Sequence, residues 1–489
     1  MGAVKSQQSW LPLLVAGASI LLLVAAEAHD SRLTMVAPLL LLSVLGAFTY
    51  RWLATWRSLL GLVAAVILFI PIKRYSLPAS LPFQLEPYRI LVFIVIAAWL
   101  LALLADPKVR LRRTEFDGPI LFYALAITFS LLMNVHRVSS LSQDVFKTLL
   151  FFSSFFLLYY LIASVLRSRR DIDFVVTILA GGGVVLAFSA VIESRTGYNI
   201  FNHLSSVMPF LVYQGGAELI RGGRLRVLGS AQHPIAFGAV LIMLAPLAVY
   251  RAQQTKKKLW WVGTFLLVLG ALATGSRTAV TMLFAAAVVY FIFRRGQLRR
   301  IWPALLPALV VIHFAIPGTL GETLQAFLPK GGIVAQQYDA PAGNARLSTL
   351  GPVLHTEVAP DPAFGEGFGT RLTTPSPTTP IPNAPITDDQ WLASLAETGI
   401  VGIAALIWLF VRYFRRLKRV VRAEESARAH LLTATAASVT SYSVGMLTYD
   451  ALSFIQVTFI LFILLALGAA ALATPASEWQ PDELERFSD

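Results

Sequence analysis

The sequence predicts an all-α, polytopic membrane protein with about 14 transmembrane helices, or 12–14 when the shorter apolar runs are discounted, and with both termini cytoplasmic. Three observations predict it. Of 489 residues, 56% are hydrophobic and 14% charged, with a mean hydropathy of +0.68, more apolar material than a soluble core can bury. Apolar runs long enough to cross a hydrocarbon layer recur along the chain,. Lys and Arg fall in every second gap between those runs, as the positive-inside pattern requires,. A formal net charge of +13 in a soluble protein suggests nucleic acid,. Here the cations sit in short loops beside apolar spans, so no nucleic-acid partner is implied and membrane lipids are the partner. The chain has no cysteine, which excludes disulfides, thiolate nucleophiles and thiolate metal sites,.

Residues 1–192 form an N-terminal region with spans near 10–27, 33–50, 58–72, 87–105, 117–133, 145–164 and 172–192,. Lys5, a short apolar stretch and Ala26-Glu27-Ala28 resemble a cleavable signal peptide, but an uncleaved first helix is the reading adopted,. Either alternative leaves His29 to Arg32 outside. Arg51 and Arg57, then Lys108 to Arg113, then Arg167 to Arg170 mark the cytoplasmic loops, and Gly181-Gly182-Gly183 interrupts the last span,. An extracytoplasmic loop, 193–233, holds the apolar piece Val207 to Tyr213, a re-entrant or interfacial element. Region 234–317 follows, with spans 234–250, 258–274, 278–293 and 301–317 and cytoplasmic cations from Arg251 to Lys258 and Arg294 to Arg300.

The second extracytoplasmic loop, 318–390, is long enough to have a function of its own,. From Asn344 to Val358, the helical spacing of Leu347, Leu350, Leu354 and Val358 predicts an amphipathic helix lying on the protein or the membrane surface,. Pro375, Pro377, Pro380, Pro382 and Pro385 then force an extended passage,. Region 391–473 closes the membrane part with spans 391–411, 430–448 and 452–473, cations from Arg412 to Arg428 lying inside, before a cytoplasmic tail, 474–489,.

The outward arginines are the candidate site. In Thr274-Gly275-Ser276-Arg277-Thr278, Ser276 reads as the N-cap of the next helix, with Arg277 in its first turn,. A cation at the positive end of a helix dipole costs roughly 0.3–1 kcal/mol, so an anionic partner is expected. Helix N–H groups beside a guanidinium fork suit a phosphate; the plainer alternatives are a lipid headgroup or an acidic neighbour. Arg221, Arg224 and Arg226 precede Leu228 to Pro234, where Pro234 suits the first helical position,. A ligand role for Arg226 stands against headgroup contacts for Arg221 and Arg224 and a capping role for His233. Arg346, on the amphipathic helix, is either a ligand or a solvated-face residue. In Thr387-Asp388-Asp389-Gln390, a threonine three residues before a glutamine is a capping box, which puts Asp388 and Asp389 in the first turn of the next span,. Acids there complement the dipole; alternatively, one accepts a proton from an incoming hydroxyl, a role the dipole opposes.

Taken together, Arg226 to Ser230 with His233-Pro234, Thr274 to Arg277, Pro362-Ala363-Phe364-Gly365-Glu366-Gly367-Phe368-Gly369, and Asp389-Gln390-Trp391-Leu392 with Glu397-Thr398-Gly399 resemble the O-antigen ligase and polymerase superfamily, over roughly 220–415. The resemblance implies a metal-independent, cofactor-free glycosyltransferase of GT-C type in the bacterial cytoplasmic (inner) membrane, its site facing the periplasm. Such enzymes move a glycan from an undecaprenyl diphosphate-linked donor to a hydroxyl of a glycan or lipid acceptor. Arg277 and Arg346, with Arg226, would bind the diphosphate, neutralising the leaving group without metal. Ligases of the group commonly place His-Asn before the x-Tyr-Leu that follows the large loop; this chain has Asp388-Asp389 before Gln390-Trp391-Leu392. Asp388 and Asp389 are therefore the catalytic candidates, and polymerisation of carrier-linked repeat units, or transfer to some other surface acceptor, fits at least as well as ligation to lipid A-core. His233 and His355 do not occupy the matching position. The competing function is a transporter or flippase of lipid-linked glycans, which predicts ionisable residues in mid-span, and none is central in the spans above,. A structural membrane scaffold is the third class, and it does not need the clustered outer arginines.

Overall fold

A computed structural model describes residues 55–78, 85–216, 219–221, 224–294, 296, 346–372, 384 and 387–480. The expected spans 10–27, 33–50 and 301–317, the signal-peptide alternative and the proline-rich passage lie outside the described residues. The protein is about 75% helical. In chain order the principal helices are α1 (Trp56–Phe69), α2 (Pro87–Ala105), α3 (Asp117–Met133), α4 (Ser142–Val165), α5 (Arg169–Thr196), α6 (Pro234–Thr255), α7 (Lys258–Ala273), α8 (Arg277–Phe293), α9 (Arg346–Val353), α10 (Gln390–Ala423), α11 (Ala427–Gly445) and α12 (Ile455–Ala473). Six of these, α2, α4, α5, α6, α10 and α12, are long and apolar enough to span a membrane. Every expected span within the described residues coincides with a helix, with edges moved by a few residues. The ends have local causes. In α5, Ser168 caps the first turn by accepting from Asp171 N, and Gly197 closes the last in the left-handed conformation,. The extension of α10 past residue 411 keeps Tyr413, Leu417 and Val421 buried while turning its arginines outward,.

One expectation is corrected here. The glycines 181–183 do not interrupt their span: α5 runs through them, because Gly182 and Gly183 admit Leu68 of α1 and Leu244 of α6, which a Cβ would approach to 2.8 Å. Small residues serve close packing here rather than a break. The piece Val207 to Tyr213 runs from the end of a short helix, Leu204–Val207, into extended chain. It ends in a strand, Val212–Tyr213, that pairs antiparallel with Tyr75–Ser76 of the segment after α1.

At the centre stand α6 and α12, whose most apolar stretches are 89% and 94% buried, against 28% for α2. The outer helices show large apolar side chains to their surroundings, including Phe93 (70% exposed), Leu104 (87%) and Phe284 (72%). A surface of that kind suits hydrocarbon rather than water. Inside, side-chain donors cross between helices: Ser438 Oγ donates to Met243 O (2.6 Å), Ser441 Oγ to Met282 O (2.9 Å) and Gln456 Nε2 to Ile67 O (2.8 Å),.

Loops alternate between the two ends of the bundle. At one end the basic loops meet: Arg412 Nε donates to Glu115 O (2.6 Å), Arg294 Nη2 to Glu424 O (3.3 Å), and Arg112 to Ala473 O, while Arg169 N reaches Glu478. At the other end lie the segments carrying the candidate residues.

Candidate functional site

The Ser-Arg turn is made by the end of α7 and the start of α8. Thr274 Oγ1 donates to Ala271 O (2.7 Å), Gly275 turns the chain at φ +61°, and α8 begins at Arg277, as the sequence predicts. Ser276 occupies the N-cap position, but its hydroxyl makes no capping bond and is buried without a partner. Arg226 Nε donates to Thr274 O (3.1 Å), which sets its guanidinium against the turn three residues before Arg277.

What holds Arg226 there is a clamp from the N-terminal half. Glu193, at the end of α5, accepts from Leu228 N (2.9 Å), Gly229 N (2.9 Å) and Asn199 Nδ2 (3.2 Å). From the other side Arg74 Nη1 donates to Gly229 O (2.7 Å) and Ala231 O (3.1 Å), and its second amino group binds Asn202 Oδ1. Both clamp residues are buried. His233 is the N-cap of α6, its Nδ1 accepting from Ile235 N (3.2 Å). Burial, with the nearby Arg226 cation, pushes its pKa down to about 4, so the ring is neutral and can cap,.

The start of α10 departs from expectation. No capping box forms at Thr387, and the aspartates are not in the first turn. Asp389 is itself the N-cap, its Oδ1 accepting from Trp391 N (2.9 Å) and Leu392 N (3.2 Å), and Asp388 precedes it at φ +46°. One carboxylate oxygen satisfies two first-turn amides, a better bargain for a helix end than a hydroxyl offers. Gln390, which the box required, is buried and committed elsewhere: it donates to Ser394 Oγ (3.1 Å) and accepts from Leu452 N (2.7 Å). Gln390 N also donates to Met446 O (2.8 Å), and in the same loop Thr448 Oγ1 bonds Thr278 Oγ1 (2.8 Å). The aspartates and the Ser-Arg turn are thus linked through the α11–α12 loop.

The segment Pro362 to Gly369 docks into a kink of α10. Glu366 N donates to Ala396 O (2.8 Å), Ile400 N to Pro362 O (2.9 Å) and Val401 N to Ala363 O (3.2 Å). Gly399 makes the kink at φ 64°, ψ −167°, where a Cβ would collide with the Ala363 carbonyl,. Ionic contacts fasten the loop: Arg137 with Glu366 (2.9 Å) and the buried pair Arg371 with Glu357 (2.7 Å). The Glu397 carboxylate lies within electrostatic reach of Arg371 and Asp450. Burial pushes the Asp450 carboxyl above its ordinary range, against the opposing pull of the Ser453 hydroxyl, Arg371 and Lys73,. The predicted amphipathic helix is present as α9, continued by a π-helical turn over Leu354–Val358, and Val353 and Val358 pack on Leu392 and Ala396 of α10. Arg346 opens α9, while Arg221 and Arg224 pair in a two-stranded ribbon; the side chains of all three lie outside the described residues.

Sequence reading therefore missed Arg74, Glu193, Glu357, Arg371 and Asp450 as site-building residues, and Glu397 entered it only within a motif. Glu193 and Asp450 are lone acids at the ends of apolar runs and Arg74 follows another run beside Lys73, whereas Glu357 and Arg371 lie in the long outer loop, where the sequence carries no signal for them. No protein-family model and no curated protein matches this chain.

Proposed function

We propose that the protein is a membrane-embedded glycosyltransferase of the O-antigen ligase and polymerase type. It moves a glycan from undecaprenyl diphosphate to an acceptor hydroxyl at the outer face of the bacterial cytoplasmic membrane. The observation that carries this reading is the bond from Arg226 to Thr274 O. It draws one outward arginine to the helix start that bears another, an arrangement suited to a diphosphate. In this reading the remaining spans complete a GT-C-like bundle of about 14 helices with both termini cytoplasmic.

Arg277 and Arg226, with Arg346, hold the donor diphosphate. Because Asp389 is occupied with its helix cap, Asp388 is the base that receives the acceptor's proton. The acceptor oxygen attacks the anomeric carbon, the carbon–oxygen bond to the diphosphate breaks, and the guanidiniums neutralise the charge left on the carrier. The site needs no metal for this step.

The test is purified protein in sealed liposomes given undecaprenyl diphosphate-linked glycan, with products read by mass and the leaflet read by access of the glycan to an added lectin. A ladder of lengths on the carrier indicates a polymerase, one block on a new anchor a ligase, and unchanged donor in the opposite leaflet a flippase, which would overturn the reading. Arg277→Ala should abolish transfer with unchanged folding, and full activity in that variant ends the donor assignment. Asp388→Asn should lose far more rate than Asp389→Asn; wild-type rates from both would leave the cap as their only role.

A further inference from the structure

The far end of α10 carries a feature the transferase reading does not use. Past its kink at Gly399 the helix runs on from residue 400 to Ala423, about 36 Å at 1.5 Å per residue, beyond a hydrocarbon layer of about 30 Å. Its surplus is basic. At 100° per residue, Arg412, Arg415, Arg416 and Arg419 fall within an arc of about 100°, with Trp408 on the same face one turn earlier,. Tyr413, Leu417 and Val421, on the opposite side, are buried. This face and Glu115, in the loop before α3, line a groove of about 320 Å³.

The charges in the groove do not balance. Arg416 pairs with the Glu115 carboxylate and Arg412 donates to the Glu115 carbonyl. Among the described residues Arg415 and Arg419 have no partner. Four guanidiniums thus face one carboxylate, although like charges three and four residues apart on a helix repel. An anion seated among them offsets that repulsion, and guanidiniums suit a phosphate. Apolar surface adjoins the groove at Trp408. Trp408 (41% exposed) packs edge-on against Phe122 (38%) of α3, with Leu121 (55%) and Leu125 (52%) also bare on that helix. A ligand that fits both parts has an anionic head and apolar tails. Tryptophan beside arginines is also the side-chain pairing found where a bilayer's hydrocarbon meets its headgroups.

We propose that this groove binds an anionic phospholipid, its phosphate between Arg415 and Arg419 and its acyl chains along Trp408, Phe122 and Leu125. The proposal is independent of the transferase reading, since it concerns the opposite end of the molecule.

The experiment uses the full-length protein purified in detergent, with phosphatidylglycerol or phosphatidylcholine of identical acyl chains added and bound lipid counted by native mass spectrometry. Wild-type protein should prefer phosphatidylglycerol, and R415Q/R419Q, which leaves both Glu115 contacts in place, should lower that preference roughly thirtyfold. The control is R110Q/R113Q, which removes the same charge at the same end and should leave the preference nearly unchanged. Equal retention of the two lipids by wild-type protein overturns the proposal, as does an equal loss in both double variants, which would indicate diffuse attraction to a basic surface. Inorganic phosphate is the third arm: if it raises the melting midpoint as much as phosphatidylglycerol does, the site takes a soluble anion and the acyl contacts are wrong. Should the double variant express poorly, R419Q alone should show about a sixfold loss.

Discussion

Arg74 is the residue whose replacement most directly tests how the site is built. Its Nη1 donates to two buried carbonyls, Gly229 O at 2.7 Å and Ala231 O at 3.1 Å, and the side chain is 2% exposed. Arg74→Leu keeps most of the apolar stem and removes both donors. Gly229 O keeps a bond from Asn199 Nδ2 (3.0 Å), so the variant leaves one buried acceptor, Ala231 O, without a partner, at a cost of about 1–3 kcal/mol. With the contact to Asn202 Oδ1 also lost, the expected loss is about 2 kcal/mol, which corresponds to about thirtyfold in a local opening equilibrium. Amide hydrogen exchange is the suitable assay, because a bundle of this size does not unfold in one step. The Leu228 and Gly229 amides, held by Glu193, should exchange about thirtyfold faster in the variant, while amides in the middle of α12 stay unchanged. Arg74→Lys should fall between, since an ammonium lacks the planar fork that reaches several acceptors at once. Unchanged exchange over residues 226–234 in Arg74→Leu would refute the clamp.

Other substitutions and a pH series test the remaining parts. Gly399→Ala should undock Pro362 to Gly369, because the backbone there is accessible only to glycine and the added carbon meets the Ala363 carbonyl. The expected cost exceeds about 3 kcal/mol, seen as new proteolytic cleavage within 346–372, and a wild-type digestion pattern contradicts it. His233 has its pKa pushed down to about 4 by burial and Arg226, against about 6.5 in an unfolded chain. The unfolded state therefore takes up the proton first, and this contribution to stability is complete above about pH 6.5 and lost progressively toward pH 4. Wild-type protein should lose more of its melting midpoint between pH 7.5 and pH 4.5 than His233→Asn, which keeps a capping acceptor; parallel losses would contradict the assignment. Asp389→Ala should lower stability by about 1 kcal/mol, with Asp389→Asn much closer to wild type. Equal losses in the two variants would show that the carboxylate does more than cap.

The helices were legible because a span is encoded locally. A run such as 87–105 states its own boundaries, since a backbone in hydrocarbon must satisfy its hydrogen bonds within the helix. Of the site, the start of α8 at Arg277 was legible, and so was α9, whose leucine spacing is a local pattern. The cap at Asp389 was misread because Thr387, Asp388 and Asp389 are all competent caps, and the choice among them was made by Gln390, drawn away to Leu452. The glycines of α5 were misread because a small residue looks the same in sequence whether it breaks a helix or lets a neighbour approach.

By itself the sequence determined the helical class, the positions of the described spans and the alternation of basic loops between the two ends, all of which follow from hydropathy and charge within a window of some twenty residues. Tertiary structure alone decided which lone charges meet. Arg74 lies 155 residues from Gly229, and Glu193 lies 35 from Leu228. No periodicity encodes such pairings, because a single charge at the end of a span is compatible with any loop at that end, and only the packing of α1, α5, α6 and α12 into one bundle brings these particular loops together.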